Sequence, residues 1–233
     1  MTIDVIVPVH NEGSIGARTL NEFYEVCVGQ GLDVRFIVCE DGSTDDTASI
    51  LLDLSKKIPL TLISSPQRKG YSRAVVDGLL ASKSSLVACV DSDGQYDPRD
   101  FIRLVLAIRD VDYAIGIRMP RKDPLFRRVF SFVFRMAYRF LFDVRLADPS
   151  CPFLLMKRTA LERLFTDRFP LLAQGLWWEV NARLRRVGAV VKEVPVVHRA
   201  RQSGQTQVYR WNRIAKIAWT HGIGVLKLRH ELG

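Results

Sequence analysis

Two aspartates two residues apart, Asp91 and Asp93, follow the apolar run Leu86–Val90, and an amide, Gln95, comes two residues later. From an extended turn the two carboxylates and the amide oxygen can face one point. An oxygen-only set suits Mg²⁺ or Mn²⁺, which favour octahedral coordination and keep positions for substrate phosphates. A solvated turn with an aspartate capping the next helix fits the same short pattern. Asp41, within Glu40-Asp41-Gly42-Ser43, can accept hydrogen bonds from a nucleotide base or ribose. It can equally cap a helix, in competition with Ser43 and Asp45. A third polar cluster is His10-Asn11-Glu12.

Each cluster stands where an apolar run ends. Ile3–Val9, Val34–Cys39, Leu60–Ile63, Leu86–Val90 and Tyr113–Ile117 are short and rich in β-branched residues, and read as buried strands. Between them lie predicted helices over Glu12–Val28, from the turn Glu40–Thr47 to about Ile58, over Gly70–Ala81, and over Pro98–Ile108 with the proline at its start. This alternation predicts an α/β fold with a mainly parallel sheet covered on both faces. Ligands bind such sheets beyond the carboxyl ends of the strands. The clusters follow the first, second and fourth strands, so they are expected to converge on one edge.

The rest of the composition narrows the partners. With 233 residues, 48% hydrophobic and 25% charged, the chain is globular and sized for one domain. Its four cysteines, Cys27, Cys39, Cys89 and Cys151, show neither disulfide-framework nor zinc spacing. Cys39 and Cys89 lie in apolar runs and read as buried thiols in a reducing compartment. Met1-Thr2-Ile3-Asp4 reads as the start of a strand and not as a signal peptide. The most apolar long segment, Leu125–Phe142, is interrupted by Arg127, Arg128, Arg135 and Arg139, which argues against a membrane span. Charge is uneven: residues 1–102 carry 9 basic and 15 acidic side chains, net −6, and residues 103–233 carry 25 and 10, net +15. A basic half attracts nucleic acid, anionic lipid or phosphorylated substrates. No recognised nucleic-acid motif is present.

Taken together, the clusters resemble a known family. Val7-Pro8-Val9-His10-Asn11-Glu12, Glu40 through Thr47, Arg68-Lys69-Gly70 with Ala74 and Gly78, and Asp91-Ser92-Asp93-Gly94-Gln95-Tyr96-Asp97-Pro98 are similar to the inverting family 2 glycosyltransferases. The back half resembles the dolichol-phosphate mannosyltransferase-like branch through Gly116-Ile117-Arg118, Arg127 with Ser131, Asp148–Cys151, Glu193–Val196 and Arg201–Thr206. The resemblance implies a single GT-A nucleotide-binding domain over 1–210, with a nucleotide and metal half (1–102) and an acceptor half (103–210). A C-terminal amphipathic helix over 211–233 would follow. By resemblance, Asp91, Asp93 and Gln95 hold Mn²⁺ or Mg²⁺ and the donor diphosphate. Pro8, His10, Asn11, Glu12, Glu40, Asp41, Lys69, Gly70, Asp91 and Ser92 line the nucleotide-sugar site. Glu40 departs from the more usual aspartate. Lys69 fits a solvated loop cation as well.

The same resemblance assigns Arg118, Arg127, Ser131 and Arg201 to an acceptor phosphate, with Asp93 and the three arginines as the catalytic set. Guanidinium groups suit bidentate phosphate capture. A phosphate acceptor is already ionised, so no general base is nominated. Asp148 matches an acidic position of the branch and would orient arginines or cap a turn. The function implied is transfer of a sugar from a GDP- or UDP-sugar to a polyprenyl phosphate. On a helical wheel, Arg127, Arg128, Ser131, Arg135 and Arg139 of Leu125–Phe142 occupy a stripe about 120° wide, with apolar residues over much of the rest. Such a helix can lie in a membrane interface or pack on the domain with its arginines in solvent. Expected partners are the donor, the lipid phosphate, and either a membrane surface on the cytoplasmic side or a membrane-protein partner there, but no nucleic acid. Two other functions fit less well. A hydroxyl acceptor needs a base, and Glu179 in Gly175–Glu179 is the one candidate, itself readable as an exposed helix residue. A non-catalytic nucleotide-sugar or nucleic-acid binding module leaves the intact Asp91/Asp93/Gln95 set without a use.

Overall fold

The structure, a computed structural model, describes residues 2–119, 125–166, 168–173, 175–200 and 214–233, with 125–131 and 214–221 as backbone alone. One seven-stranded sheet runs through it. Its strands are β1 (Thr2–Val9), β2 (Asp33–Asp41), β3 (Leu60–Ser65), β4 (Leu86–Cys89), β5 (Tyr113–Met119), β6 (Leu154–Lys157) and β7 (Val191–Val197), in spatial order β3-β2-β1-β4-β6-β5-β7. β1 to β4 pair in parallel, as do β5 and β7. β6 is inserted antiparallel between β4 and β5. The other six strands therefore share one carboxyl edge, and every polar cluster named above faces that edge.

The expected strands are all present. β1 and β4 are central and almost wholly buried, which is why their sequences are apolar on both faces. β3 is an edge strand and correspondingly half-exposed. Some boundaries differ. Glu40 and Asp41 are the last residues of β2 and not part of the turn, since β3 pairs with both. The helix expected to run to Ile58 is α2 (Thr47–Leu54), which ends in a turn. Pro98 stands just outside α4 (Arg99–Ala107), which a 3₁₀ turn over Ile108–Asp110 extends.

α1 (Gly13–Gly29), α2, α3 (Tyr71–Ala81) and α4 connect the parallel strands. α3 lies close on β1 and β2 because Gly78 lets it: a Cβ there would stand 2.5 Å from Ile6 Cγ2 and 2.8 Å from Cys39 Sγ. The back half adds α5 (Leu125–Phe142), α6 (Arg158–Glu162), α7 (Leu176–Arg186) and α8 (Ile214–Leu232). α5 has the predicted bounds. It packs through Phe134, Tyr138 and Phe142, spaced by four, with Phe134 against Trp178 of α7. α8 is seated on the domain through the buried Val225 and Leu228, and Glu231 pairs with Arg183 of α7. Among the described residues no helix is long and apolar enough to cross a membrane.

All four cysteines are free and buried, as the apolar runs around Cys39 and Cys89 imply. Burial pushes the thiols of Cys27, Cys39 and Cys151 up to about 12. At neutral pH these thiols carry essentially no thiolate, which is the nucleophile. Iodoacetamide is accordingly expected to leave the native protein unmodified and to label four cysteines in denaturant, as counted by mass spectrometry. Rapid labelling of the native fold would contradict this packing.

Candidate active site

The carboxyl edge brings the predicted clusters into direct contact. After β1, His10 Nδ1 lies 2.9 Å from the Asp41 carbonyl oxygen. Asn11 adopts the left-handed conformation, φ 53°, which asparagine tolerates better than most residues. Its amide N–H donates to Ser43 Oγ at 3.0 Å, and its side-chain oxygen accepts from Thr44 N at 2.8 Å. The β1 and β2 loops are thus laced together. The β4 loop joins them through Ser92, whose hydroxyl donates to Glu12 Oε2 at 2.6 Å. Pro8 lies in β1, paired with Cys39 of β2.

Asp41 is buried, and its two oxygens accept from the backbone N–H groups of Lys69 (2.6 Å) and Gly70 (2.8 Å). It therefore fixes the approach to α3 rather than capping α2, where Asp45 accepts from Thr47 N at 3.0 Å. Gly42 is required at the end of β2: its φ is 62° and a Cβ would fall 2.5 Å from the Arg68 backbone nitrogen. Glu40, also buried, accepts from Ser43 N and so shapes this loop. Lys69 is exposed, but its ammonium is ion-paired with Asp77 of α3 and is not a free loop cation.

Asp91 leaves β4 over an apolar hollow lined by Val5, Val7, Leu20, Phe23, Phe36 and Val90. This burial, and then the neighbouring Asp93 charge, push its carboxyl up to about 7. Tyr71 and Arg118 act in the opposite direction. Asp93 Oδ1 accepts from Gln95 N at 3.1 Å, which folds the turn. The Gln95 side-chain nitrogen donates to the Arg199 carbonyl at 3.1 Å, and among the described residues its oxygen has no hydrogen-bond partner. Arg199 in turn pairs with Asp97 and Glu22, so the chain beyond β7 is strapped across the Asp93–Asp97 turn. Among the described residues no three His, Cys, Asp or Glu side chains are grouped to hold a metal. The oxygen-only pair Asp91/Asp93 still fits a divalent cation whose remaining positions are filled by water and substrate phosphate.

Arg118 stands near the end of β5. It is clamped bidentately by Asp148, Nε to Oδ2 at 2.6 Å and Nη2 to Oδ1 at 2.7 Å, and also reaches Ser150 Oγ at 2.7 Å. Asp148 thus orients an arginine, one of the two roles read for it, and its Oδ1 also accepts from Ser150 Oγ at 3.0 Å within its own turn. Burial works against the Arg118 charge, and the Asp148 carboxylate more than offsets it, so the guanidinium stays protonated. Glu193 of β7 accepts from Ala147 N at 2.7 Å and holds the Asp148 loop in place. Arg127 and Ser131 belong to α5, but their side chains lie outside the described ones, as does the whole of Arg201.

Glu179 corrects an expectation. It is 0% exposed, not a surface residue of α7. Its carboxylate accepts from the backbone N–H groups of Leu171 and Leu172 and from Arg183 Nε at 2.8 Å. Every contact is internal, which suits a structural tie and not a general base. Two residues of the site escaped the sequence reading. Tyr71 donates to Asp91 Oδ1 at 3.0 Å, and Trp177 of α7 donates to the Tyr71 hydroxyl at 3.0 Å.

The fold as a whole has relatives. The solved structure of glucosyl-3-phosphoglycerate synthase from Mycobacterium tuberculosis, in complex with phosphoglyceric acid, superposes with a TM-score of 0.71 at 18% identity, over 98% of this chain and 80% of that one. A mannosyltransferase from Pyrobaculum calidifontis in complex with GDP-Man and Mn²⁺ gives 0.63 at 19%, over 99% and 73%. At such identities the likeness is one of fold. In sequence, the undecaprenyl-phosphate 4-deoxy-4-formamido-L-arabinose transferase of Pseudomonas aeruginosa (strain LESB58) is 26% identical over 74% of this chain and 53% of its own length. The dolichol-phosphate mannosyltransferase of Pyrococcus furiosus is 29% identical over 70% of this chain and 48% of its own. The chain thus spans about half the length of the curated relatives it matches. The sequence model described as glycosyl transferase family 2 matches residues 4–165, which include the Asp91/Asp93 turn, its flanking loops and Arg118. On that match the chain belongs to glycosyl transferase family 2.

Proposed function

We propose that this chain transfers a sugar from a nucleoside-diphosphate donor to a polyprenyl phosphate, inverting the anomeric centre. The observation that carries the reading is the meeting of two opposite charges at one sheet edge: the Asp91/Asp93 turn, and the Asp148-clamped Arg118, close enough to act on Asp91. The curated relatives' names, which specify undecaprenyl phosphate and dolichol phosphate, support the acceptor class.

In this reading Asp91, Asp93 and the Gln95 oxygen hold Mn²⁺ or Mg²⁺. The pair has the chemistry for it, since two crowded carboxylates, one of them pushed up to about 7, favour a cation between them. When bound, the ion supplies Lewis-acid neutralisation of the diphosphate leaving group. Pro8, His10, Asn11, Glu12, Glu40, Asp41, Lys69, Gly70 and Ser92 shape the nucleotide-sugar pocket. Arg118, Arg127, Ser131 and Arg201 orient the acceptor phosphate. One of its oxygens forms the bond to the anomeric carbon while the bond to the diphosphate oxygen breaks and its electron pair leaves with the diphosphate. No proton has to be removed from an ionised phosphate, so no base is needed. A hydroxyl acceptor would need one, and Glu179, the candidate, is spent on internal bonds.

The acceptor's lipid tail places the reaction at a membrane, and α5 offers the surface. Phe132, Val133, Met136 and Phe140 are exposed, Phe140 by 89%, on the side away from the packed Phe134, Tyr138 and Phe142. Arg135 and Arg139 border that apolar arc along one side of the helix. Apolar residues bordered by arginines suit the boundary between acyl chains and anionic head groups. The four free buried thiols accord with the reducing, cytoplasmic side. The paired substitution Met136→Glu with Phe140→Glu is expected to lower binding to anionic vesicles about tenfold or more, measured by sedimentation, with an unchanged unfolding midpoint. Undiminished binding would remove α5 from the membrane reading. The transfer itself is tested by supplying UDP- and GDP-sugars with Mn²⁺, with and without a short-chain polyprenyl phosphate. Product that requires the lipid phosphate is expected; donor hydrolysis with no lipid product across the panel would overturn the reading.

A further inference from the structure

The donor chain that begins at Trp177 ends on Asp91. An indole N–H can only donate. Trp177 gives that hydrogen to the Tyr71 oxygen at 3.0 Å, so the phenol accepts there. Its single hydrogen is left for Asp91 Oδ1, also at 3.0 Å. The direction of both bonds is thereby fixed, from α7 through α3 to the turn after β4. Both ends of the relay are held. Trp177 is buried. Tyr71 follows Gly70, whose backbone N–H is bound by Asp41, and precedes Ser72, whose hydroxyl donates to the Ala173 carbonyl at 2.9 Å. Tyr71 as a whole is partly open to solvent, but its hydroxyl is enclosed between Trp177 and Asp91.

We propose that Tyr71 is a positioning residue for the divalent cation: its hydroxyl, aimed by Trp177, sets the Asp91 carboxylate in the orientation that binds the ion. The inference rests on the reading of Asp91 as a metal ligand. Asp91 projects from an irregular turn over an apolar hollow, where a carboxylate otherwise rotates about its Cβ–Cγ bond. A directed hydrogen bond to one oxygen removes that freedom before the ion arrives. Outer partners of this kind tune metal affinity by about 10- to 100-fold. The relay also ties the metal turn to α7, whose Asn181 binds the Pro149 carbonyl beside Asp148 at 2.8 Å. One helix thus supports both the Asp91 side and the Arg118 clamp.

The test is calorimetric titration of Mn²⁺ into the protein with saturating UDP, and in a second series GDP. Tyr71→Phe keeps the ring and removes the hydroxyl. It is expected to weaken Mn²⁺ binding about 10- to 100-fold and, because the Trp177 N–H loses its acceptor, to lower the unfolding midpoint by a few degrees. Trp177→Phe is expected to weaken it less and in the same direction, and the double variant to match Tyr71→Phe alone, because Trp177 acts through Tyr71. Ser72→Ala, which loosens the same helix start without touching Asp91, is expected to bind Mn²⁺ as the parent does. Mn²⁺ affinity of Tyr71→Phe within twofold of the parent would overturn the inference, whatever the other variants do. Absence of Mn²⁺ binding by the parent would instead remove the metal reading of Asp91, and this inference with it.

Discussion

Replacing Asp93 with alanine is expected to lower sugar transfer on the order of 10³-fold, about 4 kcal/mol of transition-state stabilisation, while the protein stays folded. The leaving diphosphate gathers negative charge as the anomeric bond breaks. In a site walled by protein, an ion held at that point is worth more than in water, because little solvent screens it. Asp93 is suited to such a loss without collapse. It lies in the turn after β4, outside the sheet ladder, where it accepts from Gln95 N. Removing it also relieves the charge that, after burial, raises Asp91. The variant's unfolding midpoint is therefore expected to equal or exceed the parent's. Steady-state rates at saturating Mn²⁺ and a thermal scan measure both. A loss under tenfold would mean that the Asp91/Asp93 turn does not serve the leaving group.

Glu179→Ala is expected to do the reverse, costing stability and sparing chemistry. Its carboxylate is fully buried, bound to the Leu171 and Leu172 amides and to Arg183, which also pairs with Glu231 of α8. Truncation leaves two amides without their acceptor and removes one of the two charges that neutralise Arg183. Breaking a buried pair in this way costs about 3–5 kcal/mol. For a chain of this size that lowers the unfolding midpoint by roughly 6–20 °C. Transfer per folded molecule, measured well below the midpoint, is expected to remain within a few-fold of the parent. A general base would cost about 10²–10⁴-fold on removal. A stable variant with such a rate loss would return Glu179 to the chemistry and favour a hydroxyl acceptor.

These two residues show how far sequence alone reaches. Asp91 and Asp93 are legible as a neighbouring pair because two residues of chain spacing after a buried strand keep their carboxylates close. The central strands are legible because burial on both faces leaves no polar positions, as in Val5-Ile6-Val7 and Val87-Ala88-Cys89. Glu179 was misread because a Glu with an Arg four residues on usually lies on a helix surface. Its burial is decided by the Leu171–Leu172 backbone and by α8, both distant partners. β6 escaped notice for a similar reason. Leu154–Lys157 is four residues long, and its place between β4 and β5 depends on pairings across the fold. Tyr71 and Trp177 carry no local signal, since their hydrogen-bond partners lie 20 and 106 residues away. α5 was legible in its bounds. It is apolar on two faces, however, and only packing against Trp178 shows which face is left outward.

The most direct measurement of the central claim is the identity of the product formed from a labelled nucleotide sugar, Mn²⁺ and a short-chain polyprenyl phosphate. The expected product is a glycosyl phosphate lipid with the anomeric configuration opposite to the donor's. It should form only when lipid phosphate is present and be lost with Asp93→Ala and with Arg118→Ala. A product linked through a hydroxyl, or a lipid product with retained configuration, would contradict it.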